Sequence, residues 1–168
     1  MPVNEQGVTL ERYMLIPRVL IFITRGDLVL LLKGAPTKRI WANKYNGVGG
    51  HLEQGEDSLS AARRELLEET GLPEDSVQDL HLCGTVIVDT EETPGIGMYI
   101  FTGECPQGEL KASHEGALEW VSMESVRSLP IVEDVAVLVE QIRKMKPGEP
   151  AFSARSYYKD DRLVMEFG

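Results

Sequence analysis

Three glutamates carry the first chemical signal in the chain. Glu65, Glu68 and Glu69 lie in Ser58–Thr70, a stretch whose apolar residues recur at helical spacing. At 100° per residue they fall within about 100° of one another. Leu59, Ala62 and Leu66 come next around the wheel, so the carboxylates border the stripe that must meet the core. Such a cluster is unfavourable on its own. Like charges at i,i+3 and i,i+4 repel by roughly 0.2–0.5 kcal/mol per pair. The last helical turn, which holds Glu68 and Glu69, also disfavours negative charge. A divalent cation reverses both effects. Carboxylate oxygens suit Mg²⁺ or Mn²⁺ better than Zn²⁺, which prefers Cys and His. A solvated acidic face is the competing reading. The loop Gly49-Gly50-His51-Leu52-Glu53-Gln54-Gly55-Glu56, just upstream, favours the metal.

Charge along the chain points the same way. Residues 28–52 contain no acid but hold Lys33, Lys38, Arg39 and Lys44. Residues 53–80 hold nine acids against two arginines, a net −7. A cationic segment beside a carboxylate cluster fits a polyphosphate gripped by lysines and bridged to the protein through metal. Lys33 is assigned to that substrate, although any one of these lysines read alone is an ordinary loop-surface residue.

The elements that must position these groups follow from patterning. Residues 1–10 read as a loose arm. Met14–Thr24 and Leu28–Lys33 are apolar runs flanking Arg25-Gly26-Asp27, which predicts a β-hairpin. Residues 34–50 are mostly loop. Gly71 followed by Leu72-Pro73 ends the first helix. Leu80–Val88 and Gly97–Thr102 read as strands around a turn at Thr93-Pro94-Gly95, and Leu118–Ser122 as a short strand. Apolar residues from Val132 to Met145 predict a second helix, stopped by Pro147 and Pro150. Residues 151–168 read as a strand pair turning at Asp160-Asp161. Two helices among many strands indicate an α+β domain.

The chain has 168 residues and 42% hydrophobic composition, which suits one domain over residues 1–168. Its net charge of −10 argues against a nucleic acid polymer as partner. No apolar run approaches the roughly 18–20 residues that span a bilayer. No basic region followed by an apolar stretch opens the chain, so no secretory signal is expected. Cys83 and Cys105 lack CxxC spacing and read as two reduced thiols in a cytoplasmic protein.

Taken as a pattern, Gly50, five residues, Glu56, seven residues and Arg64-Glu65-Leu66-Leu67-Glu68-Glu69-Thr70-Gly71-Leu72 resembles the signature of the Nudix hydrolase family. All nine fixed positions of this 23-residue box match. The resemblance implies a mixed β-sheet sandwiched between α-helices, and Mg²⁺-dependent hydrolysis of a nucleoside diphosphate linked to another group. It implies Glu65, Glu68, Glu69 and the Gly49 carbonyl as metal ligands, with an Arg64–Glu56 ion pair locking loop to helix. For His51 and Glu53 it implies no more than phosphate contact or loop structure.

Outside the box, Tyr45-Asn46-Gly47-Val48-Gly49-Gly50 resembles the MutT-like branch that acts on oxidised purine nucleoside triphosphates. His114-Glu115, upstream of Trp120, resembles a segment that brings one more carboxylate to the metals. Leu129-Pro130-Ile131-Val132-Glu133-Asp134 resembles the segment where acidic side chains meet the purine, and the tail Tyr157–Phe167 resembles the same branch. Each also has a plainer reading. Glu133 and Asp134 suit a helix N-terminus, Asn46 suits a turn, Glu115 suits a surface, and Trp41 and Tyr45 either stack on a base or pack. The expected activity is cleavage of a nucleoside triphosphate to a monophosphate and pyrophosphate. Glu68, Glu69 or Glu115 would handle the attacking water. Other expectations are another nucleoside diphosphate derivative (a dinucleoside polyphosphate or a nucleotide sugar), a nucleotide-sensing module without turnover, and RNA-cap hydrolysis.

Overall fold

The computed structural model describes residues 5–9, 11–111 and 116–168. His114 and Glu115, and part of the expected arm, lie outside the described residues; residues 5–9 are exposed. Eight strands form one mixed sheet: β1 (Leu15–Arg25), β2 (Leu28–Gly34), β3 (Tyr45–Asn46), β4 (Gln78–Val88), β5 (Gly95–Glu104), β6 (Gly116–Ser122), β7 (Phe152–Lys159) and β8 (Arg162–Phe167). Among the described residues two α-helices, α1 (Ser58–Thr70) and α2 (Glu133–Lys144), accompany the sheet. The strands run β3-β2-β1-β5-β4-β7-β8, with β6 beside β2. β1 lies parallel to β5 and β4 parallel to β7, while the other strand pairs are antiparallel.

Alternation along β1 divides the core in two. Val19, Ile21 and Ile23 face α1 and meet Ala61, Ala62 and Leu66. Leu20 and Phe22 face α2 and meet Val135, Leu138 and Val139. The sheet is thus covered on both sides, the sandwich that the box resemblance implies. Among the described residues no helix is long and apolar enough to cross a membrane. Cys83 and Cys105 are free and buried, as expected of reduced thiols.

One feature of the hairpin places the site. β1 and β2 pair only next to their turn, at Thr24↔Val29 and Arg25↔Leu28, then separate. Residues 45–51 enter the gap. β3 pairs with β2, Ile21 N donates to Val48 O at 2.7 Å, and Val19 N donates to Gly50 O at 2.9 Å. The segment 34–50, expected to be mostly loop, therefore contains a two-residue strand and a backbone bridge to β1 at Val48, with a second bridge just beyond it at His51. Its pairing comes from partners distant in sequence, so local composition does not reveal it.

Candidate active site

α1 begins where Asp57 caps it, its Oδ1 accepting from Leu59 N at 2.9 Å and Ser60 N at 3.0 Å. It ends at Gly71, whose φ of 69° is left-handed and whose N–H returns to Leu67 O. These limits fix the rotation of the helix and therefore the positions of its glutamates.

Arg64 is the hub. Its Nε and Nη2 donate to the two Glu56 oxygens at 2.7 and 3.0 Å, so the expected ion pair between loop and helix is present. Nη1 reaches Glu65 Oε1 at 2.7 Å and Glu68 Oε2 at 3.3 Å. Nη2 also donates to the His51 carbonyl at 3.1 Å, a loop contact that side-chain types alone do not disclose. The guanidinium holds the Glu56 carboxyl down at about 2, helped by the Glu53 N–H. Its hydrogen bonds to Glu56 and then to Glu65 raise the Arg64 pKa in turn.

The three helix carboxylates sit at different depths. Glu68 is exposed, Glu65 is half-buried, and Glu69 is buried with Oε2 accepting from Gly49 N at 3.0 Å. Two glycines make room for this junction. Gly49 has φ 152°, and a Cβ there would stand 2.2 Å from Val19 O. A Cβ on Gly50 would stand 2.4 Å from Glu65 Oε1. As they stand, Glu65 and Glu68 turn to Arg64 and Glu69 to the Gly49 amide. Among the described residues no three acidic, histidine or cysteine side chains enclose a cation-sized point.

The other expected site residues lie outside this junction. Lys33, on β2, places Nζ 5.4 Å from the centroid of the Tyr45 ring. Tyr45 is no stacking platform: it is buried in the α2-side core and donates its hydroxyl to Glu119 Oε2 at 2.7 Å. Glu119 thereby raises the tyrosine pKa. Trp41 is exposed. Asn46 turns back on its own loop, Oδ1 accepting from Gly47 N at 2.8 Å. Backbone bonds from Tyr45 N to Pro130 O and from Val132 N to Tyr45 O bring the start of α2 beside β3. There Glu133 is exposed and accepts from the Tyr158 hydroxyl at 3.3 Å. Asp134 is half-buried, and burial pushes its pKa up.

A family model described as the NUDIX domain matches residues 14–142. The chain belongs to the Nudix family. Its glutamate-bearing α1 and the glycine loop lie within the matched span. The chain is similar to the oxidized purine nucleoside triphosphate hydrolase of Danio rerio, 34% identical over 108 residues. It is 31% identical over the same length to the protein so named from Mus musculus. Each alignment covers 64% of this Nudix chain and 66% of the relative, just under two thirds of those proteins. Among solved structures, a MutT protein from Bacillus halodurans superposes with TM-score 0.73 at 24% identity, covering 91% of this chain and 97% of that one. The NUDIX domain of Shewanella oneidensis NrtR, complexed with ADP ribose, superposes with TM-score 0.63 at 16% identity, covering 86% and 98%. These two likenesses establish the Nudix fold.

Proposed function

We propose that this chain is a Mg²⁺-dependent pyrophosphohydrolase of the cytoplasm. It cleaves a purine nucleoside triphosphate, 8-oxo-dGTP-like ones included, to a nucleoside monophosphate and pyrophosphate. The observation that carries this reading is the junction of Arg64, Glu56, Glu65, Glu68 and Glu69 with the Gly49-Gly50 loop. The names of the relatives from Danio rerio and Mus musculus support the substrate class. The buried free thiols support a reducing compartment.

The donor set fits the cation: carboxylate and carbonyl oxygens are the ligands that Mg²⁺, or Mn²⁺ in its place, prefers. Glu65, Glu68, Glu69 and the Gly49 carbonyl would hold it, with Glu115 as a further ligand. When bound, such an ion neutralises phosphate oxygens and acidifies water. The chain's own residues do the rest. Arg64 holds Glu65 and Glu68 while the Gly49 amide holds Glu69, so these carboxylates are kept beside the loop and would turn from those partners to enclose a cation. Glu68, Glu69 or Glu115 takes the proton of the attacking water. Lys33 offers its charge to the phosphates, while Asn46, Glu133 and Asp134 contact the base.

The test is a panel of nucleoside triphosphates, dinucleoside polyphosphates and nucleotide sugars, with and without Mg²⁺, read by product mass. Release of pyrophosphate and a purine monophosphate only with Mg²⁺ is the expected result. Tight binding without turnover would mean a sensing module, and preferred cleavage of another class would replace the substrate.

A further inference from the structure

The sheet ends on β8, and among the described residues no strand pairs with its outer edge. β8 keeps unbroken register with β7 from Arg162 to Phe167, with no proline and no bulge. Such an edge offers a row of backbone donors and acceptors to another strand. The hairpin fixes which groups point outward. Gly168 N donates to Ser153 O at 2.9 Å, so the even-numbered residues of this strand bond to β7. Ser156, opposite Met165, instead gives its carbonyl to Asp89 N at 2.8 Å on the β4 side. The N–H and C=O groups of Leu163 and Met165 therefore point away from the sheet.

Charge then selects a partner. Arg162 and Glu166 are exposed and share one face of the strand with Val164 between them. Glu166 accepts from the Tyr157 hydroxyl through Oε1 at 2.9 Å, which leaves Oε2 open. We propose that β8 is a self-recognition edge: two copies of this chain join antiparallel about Val164, with Arg162 of each against the partner's Glu166, into one continuous sheet. In this register Leu163 lies opposite the partner's Met165, so outward-pointing backbone groups meet outward-pointing groups. The Arg–Glu pairs fall at positions without backbone bonds, where Cα atoms approach to about 4.5 Å and side chains are closest. A shift of one residue would set open groups against bonded ones. A shift of two would lose both ion pairs. β5, β4 and β7 separate β8 from β1 beneath α1, so each copy keeps its own Arg64 junction.

The test is sedimentation velocity of the full chain at rising concentration. Wild type should pass from monomer to dimer. Arg162→Glu and Glu166→Arg should each weaken the dimer by about tenfold or more, since two attractions become two repulsions. Mixing the two variants should restore association, because every pair across the edge is again of opposite sign. The double variant Arg162→Glu with Glu166→Arg should recover it for the same reason, and neither rescue is open to a chain that has merely misfolded. Amide hydrogen exchange gives a second reading. Val164 and Glu166, bonded to β7, should be protected at every concentration, and Leu163 and Met165 only in the dimer. A monomer at all concentrations, or a dimer unmoved by both single reversals, would overturn the proposal. So would failure of both the mixture and the double variant to recover association.

Discussion

The Arg64 guanidinium clasps the Glu56 carboxylate through two hydrogen bonds, Nε to Oε1 at 2.7 Å and Nη2 to Oε2 at 3.0 Å. The planar fork matches the carboxylate and leaves Nη1 for Glu65 and Glu68. One side chain therefore orders the loop and two of the glutamates. Lysine would supply the charge at this position without the fork.

This clasp makes stability depend on pH in a definite direction. The Glu56 carboxyl is held at about 2, below its ordinary 4.5. A depressed pKa stabilises the fold above the unfolded-state value, and that contribution is lost as pH falls through the folded one. Wild type loses it between about pH 4.5 and 2, whereas Glu56→Gln lacks it throughout. The variant should melt below wild type at pH 7, and the gap should close on acidification. Melting curves across pH check this; a gap that ignores pH would assign the loss to packing.

The two loop glycines should fail in different ways. Gly49→Ala drives a Cβ to 2.2 Å from the Val19 carbonyl at a φ of 152°. Backbone must move, so the fold should lose stability by about 1–3 kcal/mol. Gly50→Ala meets the flexible end of Glu65 at 2.4 Å, and that carboxylate can swing away. Its melting temperature should stay near wild type while hydrolysis falls sharply. Parallel melting and turnover measurements separate the two, and full activity in Gly50→Ala would remove Glu65 from the site.

How far these relationships could be read in advance varies by residue. Ser58–Thr70 was legible to its ends because apolar periodicity stops at Gly71 and Pro73, both local signals. The final hairpin was legible because Asp160 and Asp161, each at positive φ, divide two short apolar runs. β3 was not, since two residues carry no period and pair only because β1 and β2 separate. Tyr45 looks the same in sequence whether it stacks or packs; long-range bonds to Pro130 and Val132 bury it. The glutamates' shared face was legible, but their unequal burial depends on Arg64 and the Gly49 amide.

Metal dependence should separate the glutamates from the scaffold. Glu68 is exposed and opposes the helix dipole, so Glu68→Gln should melt at or above wild type without metal. In Glu69→Gln the amide oxygen still accepts the Gly49 N–H, so the fold should persist. Both variants should lose most turnover, and added Mg²⁺ should raise their melting temperatures less than that of wild type. Thermal shift titrations with Mg²⁺, run beside hydrolysis assays, check both expectations. Near wild-type turnover in both variants would discard the proposed ligand set.

Asp134 offers the sharpest separation between a structural and a functional role. It lies in the first turn of α2, where the helix dipole favours negative charge. No side chain caps the helix at Val132, however, and the Asp134 Oδ1 is buried without a partner. Desolvation outweighs the nearby backbone amides and raises its pKa, with Glu133 adding repulsion. A carboxyl whose pKa is raised on folding stabilises the fold below the unfolded-state value and loses that contribution as pH rises through the folded one. At neutral pH the charged residue is therefore a liability to the fold. Asp134→Asn should raise the melting temperature at pH 7, and the gain should vanish as pH drops below the ordinary carboxyl range. If Asp134 served the helix alone, the substitution would lower the melting temperature and leave nucleotide preference intact. If it reads a base, kcat/KM for the preferred purine should fall by about tenfold, matching loss of one buried polar partner. Pyrimidine triphosphates should change little, because the carboxylates at Arg64 are untouched. Melting curves from pH 3 to 8, together with kcat/KM on four triphosphates, decide between the two. A stabilised variant with unchanged ranking would leave Asp134 without a role in recognising the base.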